Sequence, residues 1–140
     1  MSDANKFPRA VVTAIIFNDE GQLLLLKSDQ WSDKYIIPGG KVQYGETIED
    51  ALRRETKEET NLDIERIEFL FIAEGIELKE ASKKKHSIYL IHRCRARSLD
   101  VRLNEEAQSY RWVDLRDALE LDLNSTSRAT MERLARSGVV

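Results

Sequence analysis

Residues 47–60 read as a helix whose inward-facing stripe changes character halfway, and that change constrains the whole chain. Turned at about 100° per residue, Ile48, Ala51, Leu52, Glu55, Glu58, Glu59 and Leu62 fall within an arc of roughly 120°, the width of a core-facing stripe. The stripe begins apolar and ends in three carboxylates. Glu49, Asp50, Arg53 and Lys57 occupy the opposite, solvated side. Thr47 is placed to cap the first turn, with Asp50 three residues on as its acidic partner. Asn61 follows the last turn, where a left-handed residue belongs.

Glu55, Glu58 and Glu59 are three and four residues apart, so their side chains meet. Each like-charge contact costs about 0.2–0.5 kcal/mol on an exposed helix. In an enclosed site the cost rises, and one carboxyl keeps its proton unless a cation is present. Clustered oxygen ligands without paired cysteine or histidine suit a hard divalent ion, Mg²⁺ or Mn²⁺. An acidic run of this kind is also what a merely solvated face looks like. Two facts favour a site. The carboxylates continue the buried stripe, and they follow a glycine turn, Pro38-Gly39-Gly40, whose backbone can approach a phosphate or a metal.

The rest of the chain supplies a sheet. Residues 10–17 are apolar on both parities, which fits a strand buried on both faces. Asn18-Asp19-Glu20-Gly21 is turn chemistry, and residues 22–27 carry four leucines, so the two strands form a hairpin. Residues 28–40 read as a loop, with a short strand at Tyr35-Ile36-Ile37. Residues 64–78 read as one long strand bulged at Gly75, then a charged hairpin loop over 79–85 and a strand over 86–97. A short strand at Ser109–Val113 precedes a brief helix capped by Asp114. Thr126 or Ser127 is placed to cap a C-terminal helix running to Arg136. Strands interrupted by a few helices, with hairpins, predict an α+β fold in αβα layers, a mixed sheet packed between helices.

Size and charge remove other classes. The 140 residues suit a single domain spanning 1–140. No stretch is apolar for the roughly 18 residues that a membrane helix needs, and residues 1–6 lack the apolar core of a secretory signal. Cys94, the one cysteine, excludes an internal disulfide and a multi-cysteine zinc site; a reducing cytoplasm is the expected setting. The formal net charge of −3 gives no basic surplus for stable nucleic-acid binding. An anionic substrate would need local neutralisation.

The segment from Gly40 through Glu46 to Arg54-Glu55-Thr56-Lys57-Glu58-Glu59-Thr60-Asn61-Leu62 resembles the Nudix box. The family pattern is glycine, five residues, glutamate, seven residues, arginine-glutamate, an aliphatic, any residue, two glutamates, any residue, glycine, an aliphatic. The spacing is kept throughout residues 40–62. Thr56 replaces the usual aliphatic and Asn61 the usual glycine. Asparagine tolerates the left-handed conformation; Thr56 lies toward the edge of the apolar arc, where looser packing is expected.

The resemblance implies a loop-helix-loop motif that hydrolyses a nucleoside diphosphate linked to a further group. It implies metal ligation by Glu55, Glu58 and Glu59, with the Gly40 carbonyl as a fourth ligand, and a Glu46–Arg54 pair tying loop to helix. Glu55, Glu58 and Glu106 carry the catalytic expectation, Glu106 as extra ligand or base. Lys27 stands where similar enzymes hold a phosphate-contacting cation, and Trp31 and Tyr44 flank the box loop, where they could stack on a base. Arg93, Arg95 and Arg97 line one strand face, and Lys83-Lys84-Lys85 reads as a solvated hairpin tip. The expected substrate is a small nucleotide, foremost a nucleoside triphosphate cut to monophosphate and pyrophosphate. ADP-ribose or a nucleotide sugar is the alternative. It is disfavoured because no proline follows Pro38, whereas many ADP-ribose enzymes carry one beyond the box. A nucleotide-binding sensor without turnover is the other alternative. The oligomeric state, homodimer included, stays open.

Overall fold

The computed structural model describes residues 7–138; the reading of residues 1–6 as lacking a signal lies outside them. Seven strands form one mixed sheet: β1 (Arg9–Phe17), β2 (Leu23–Ser28), β3 (Lys34–Ile36), β4 (Gly39–Lys41), β5 (Ile64–Ile76), β6 (His86–Ala96) and β7 (Ser109–Val113). Three helices accompany them: α1 (Ile48–Thr60), α2 (Leu115–Ala118) and α3 (Ser125–Ser137). The main order is β3-β2-β1-β6-β5, with β4 also on β1 and β7 on β2. Only β1–β6 is parallel among these pairings.

The alternating faces of the strands build two cores. Val12, Ala14, Ile16, Leu24 and Leu26 pack with Ala51, Leu52 and Leu62 on the α1 side. Ile15, Leu23, Leu25 and Ile91 pack with Met131 and Leu134 of α3 on the other. The apolar double parity of β1 thus has its cause: both of its faces are covered, as an αβα layering requires. Among the described residues no helix is long and apolar enough to cross a membrane.

One irregularity in this sheet creates the cleft. The β1–β2 hairpin forms through Phe17 and Leu23. Beyond that point β4 takes over the edge of β1, with Val11 opposite Lys41, Val12 opposite Gly40 and Thr13 opposite Gly39. The expected loop before the box therefore contains a second short strand. A Cβ on Gly39 would land on the Val12 carbonyl oxygen, so only glycine lets β4 lie this close.

Several local readings change. β5 ends at Ile76, and its irregularities fall between Glu65 and Glu68 and between Phe69 and Phe71, with Arg66 at φ 53. Gly75 stays in register opposite Ser87; its spot is crowded by Leu78, Tyr89 and Thr126 instead. α3 is capped by Asn124, which accepts from the Ser127 N–H, while the Ser127 hydroxyl is engaged by the Ile37 N–H. Thr56 is buried rather than loosely packed, its carbonyl accepting from Thr60 Oγ1 at 2.6 Å. Ile48 and Glu58, expected on the buried stripe, are exposed: the face that α1 turns inward carries Ala51, Leu52, Thr56, Glu59 and Thr60, leaving Glu58, at one edge of the expected arc, outside it.

Candidate active site

Helix α1 begins as its sequence dictates. Thr47 is extended, its hydroxyl accepts from the Asp50 N–H at 3.1 Å, and Asn61 closes the helix at φ 68. So fixed, the helix lays its acidic turns across Gly39 and Gly40, which form extended strand β4 where the sequence suggested a turn. A Cβ on Gly40 would fall onto the Glu55 carboxyl group, so the missing side chain is what admits that carboxyl against the backbone.

Arg54 ties the loop to the helix. Its Nε donates to Glu46 Oε2 at 2.7 Å and its Nη2 to Glu46 Oε1 at 2.9 Å, a bidentate pair. Nη2 also donates to the Lys41 carbonyl at 3.0 Å, and Nη1 donates to Glu55 at 2.9 Å and Glu58 at 3.2 Å. The Gln43 N–H adds a bond to Glu46. Arg54 first, then that N–H, holds the Glu46 carboxyl down to about 2.

Glu59 is the opposite case. It is 5% exposed, and its Oε1 has only a long contact from the Gly39 N–H at 3.4 Å. Its Oε2 is buried without a hydrogen-bond partner. Burial, and then the adjoining Glu55 carboxyl and the charge of Glu106, push its proton affinity well above the carboxylate range. Two carboxyls pressed together, one with a donorless buried oxygen, between a helix and strand β4 suit a cation. The all-carboxylate donor set fits a hard divalent ion.

These groups open into a cleft of about 490 Å³. Gly40, Glu55, Glu59, Glu106 and Trp31 line it. Glu106 Oε2 accepts from Asn104, and its carbonyl accepts from Ser28 Oγ at 2.6 Å, which fixes the loop before β7 against β2. Glu58 stands outside the lining, exposed and tethered to Arg54. Among the described residues, no three acidic, histidine or cysteine side chains converge as a ready-made metal cage.

Lys27 and Tyr44 are not brought to the cleft lining. The Lys27 ammonium sits 5.7 Å from the Tyr35 ring centroid, and Tyr44 projects fully into solvent. Arg93 and Arg95 are held by Glu68 and Asp19, and Arg97 by Glu65. The thiol of Cys94 is buried and pushed up to about 12, far from a nucleophile's range. The hairpin tip is not uniformly solvated: Lys84 donates to the Leu78, Lys79 and Ala81 carbonyls, and Lys85 is half-buried in the cleft lining. Sequence reasoning missed Arg9, Lys41 and Lys85 as cleft residues. For Arg9 and Lys41 the available signal was an adjoining small or apolar residue, which carries no address without strand register; Lys85, between Lys84 and His86, offered none.

A sequence profile of the NUDIX domain matches residues 7–134. Nucleoside triphosphatase NudI of Escherichia coli (strain K12) is 36% identical over 132 residues, covering 88% of this chain and 94% of that protein. The crystal structure of the MutT protein from Methanosarcina mazei Go1 superposes with a TM-score of 0.77 at 29% identity, covering 95% of this chain and 97% of that one. The MutT NUDIX hydrolase from Burkholderia pseudomallei gives a TM-score of 0.78 at 28% identity, over 91% and 98% of the two chains.

Proposed function

The chain belongs to the Nudix family of hydrolases, and we propose that residues 1–140, as one domain, cleave a nucleoside triphosphate to monophosphate and pyrophosphate with Mg²⁺ or Mn²⁺. Members of this family generally use divalent metals and act on small nucleotides. The observation that carries the reading is the Glu55–Glu59 pair against Gly39 and Gly40 of β4, with one buried oxygen lacking a donor. The similarity to a protein named nucleoside triphosphatase supports the substrate class. We read its setting as cytoplasmic.

Glu55, Glu59 and the Gly40 carbonyl would hold the metal, with Glu58 joining them from its tether on Arg54. When bound, the ion neutralises phosphate charge and makes water a better nucleophile. The chain's own groups do the rest. Arg54 orients Glu55 through its Nη1 while Glu46 holds the guanidinium flat against the loop. Water adds to phosphorus as the bridging P–O bond breaks, and its proton passes to a cleft carboxylate. We assign that role to Glu106, whose Oε2 is engaged by Asn104 and whose Oε1 is left for the proton. Trp31 lines the cleft where a base could stack.

The test is a panel of nucleoside triphosphates, ADP-ribose and nucleotide sugars assayed with Mg²⁺ and Mn²⁺, with Glu58→Gln and Glu59→Gln beside the wild type. Triphosphate turnover with pyrophosphate release, lost in Glu59→Gln, is expected. Full activity in both variants would remove the mechanism, and preference for ADP-ribose would replace the substrate. Binding without turnover would favour a sensor. Metal bound to the folded state should also raise the melting temperature.

A further inference from the structure

The cleft that holds Glu55 and Glu59 is also lined by three cations, and strand register brings them to one face of the sheet. Val11 of β1 lies opposite Lys41 of β4, and Arg9 lies opposite Ser87 of β6. Directly paired residues share a face of the sheet, as do residues two apart. Arg9 and Lys41 therefore share the face of Val11 and Thr13, and Lys85, two residues before Ser87, falls on it too. All three line the cleft. The ion pairs of the neighbouring arginines run elsewhere, and none among the described residues involves Arg9, Lys41 or Lys85.

Such a gathering is costly by itself. Lys85 is half-buried, and burial followed by the charges of Lys41, Lys83 and Arg9 lowers its proton affinity, against a weaker opposing pull from Glu106. Arg9 of β1, Lys41 of β4 and Lys85, just before β6, bring like charges into one cleft, and no ion pair among the described residues neutralises them. A bound polyanion offsets that repulsion, and the same cleft would bring it to Glu55 and Glu59.

We propose that Arg9, Lys41 and Lys85 seat the outer phosphates of the substrate and make the cleft prefer a triphosphate tail to a diphosphate capped by a sugar. This rests on the proposed hydrolysis above, taken to proceed in the same cleft. A triphosphate carries about two more negative charges than a sugar-capped diphosphate, so three cleft cations favour it more. The role is one of positioning and selection, distinct from proton transfer.

Two measurements test it, with Lys79→Gln on the exposed hairpin as the control for a charge lost outside the cleft lining. In the first, binding of inorganic tripolyphosphate to the metal-free protein is followed by calorimetry. Arg9→Gln/Lys85→Gln is expected to bind at least about tenfold more weakly than wild type, and Lys79→Gln to match it. In the second, KM for a nucleoside triphosphate is expected to rise about tenfold in Lys85→Gln and to recover in Lys85→Arg, while KM for a nucleotide sugar moves less than twofold. Tripolyphosphate binding unchanged in the double variant, or an equal KM rise for both substrates, overturns the proposal. If no nucleotide is turned over, the hydrolase reading fails, and tripolyphosphate binding still decides this one.

Discussion

Helix α1 and the loop before it carry two groups of charges, and the fold treats them in opposite ways. Arg54 and Glu46 satisfy each other bidentately, and Arg54 spends its remaining donors on the Lys41 carbonyl, Glu55 and Glu58. Glu59, buried more deeply, keeps an oxygen with no donor and faces further carboxylates. A fold selected for stability alone would pair the buried group before the half-exposed one. On the function proposed above, the first group fixes geometry and the second would hold the metal.

Exchanging the charge of the unsatisfied group should have the largest effect. Glu59→Gln keeps the shape and removes a ligand oxygen's charge, so kcat/KM is expected to fall by about 100-fold or more, and the Mg²⁺-induced rise in melting temperature should vanish. Activity near wild type would erase the contrast. Gly40→Ala sets a methyl group onto the Glu55 carboxyl, and a displacement of that kind is expected to cost up to about 100-fold in kcat/KM. The circular dichroism spectrum should stay that of the wild type; a collapsed spectrum would recast Gly40 as a folding element.

The satisfied group should answer differently. Arg54→Ala leaves Glu46, Glu55 and Glu58 without their shared partner, and the melting temperature is expected to fall by roughly 3–8 °C. No change would mean that the strap contributes nothing to the fold. Because Arg54 holds the Glu46 carboxyl at about 2, below its ordinary 4.5, the strap's stabilisation is present above 4.5 and is lost as pH falls from there toward 2. The melting-temperature gap between wild type and Glu46→Gln should therefore hold steady from about pH 6 upward and close on acidification. A gap that widens in acid contradicts the pairing. The smallest effect belongs to the helix start that both groups share: Thr47→Ala removes the cap on the Asp50 N–H and should cost about 1 kcal/mol by denaturant titration.

Much of the architecture was legible because it rests on periodicities that neighbours in sequence enforce. The buried strand β1, the cap at Thr47, the left-handed Asn61 and the buried Cys94 all follow from local pattern. The box spacing likewise indicated the loop-to-helix pairing of Glu46 with Arg54, which the side chains adopt. Legibility ended where a residue's fate depended on a distant partner. The helical stripe did not tell Glu58 from Glu59, because a difference of 100° decides burial only once the sheet's position is known. Gly75 looked like a bulge and proved to be a crowded in-register position, whereas the irregularities fell among residues with no glycine signal.

The amino-acid order alone determined the helix, its caps and its acidic turns, since each is set by contacts within a few residues; the glycine turn expected before the box is instead strand β4, held against distant β1. Tertiary structure decided which carboxylate lost its solvent, which lysine of the hairpin entered the cleft, and that Arg9, Lys41 and Lys85 meet. Burial and charge encounter depend on register between strands far apart in the chain, and a one-residue shift of register sends a side chain to the other face.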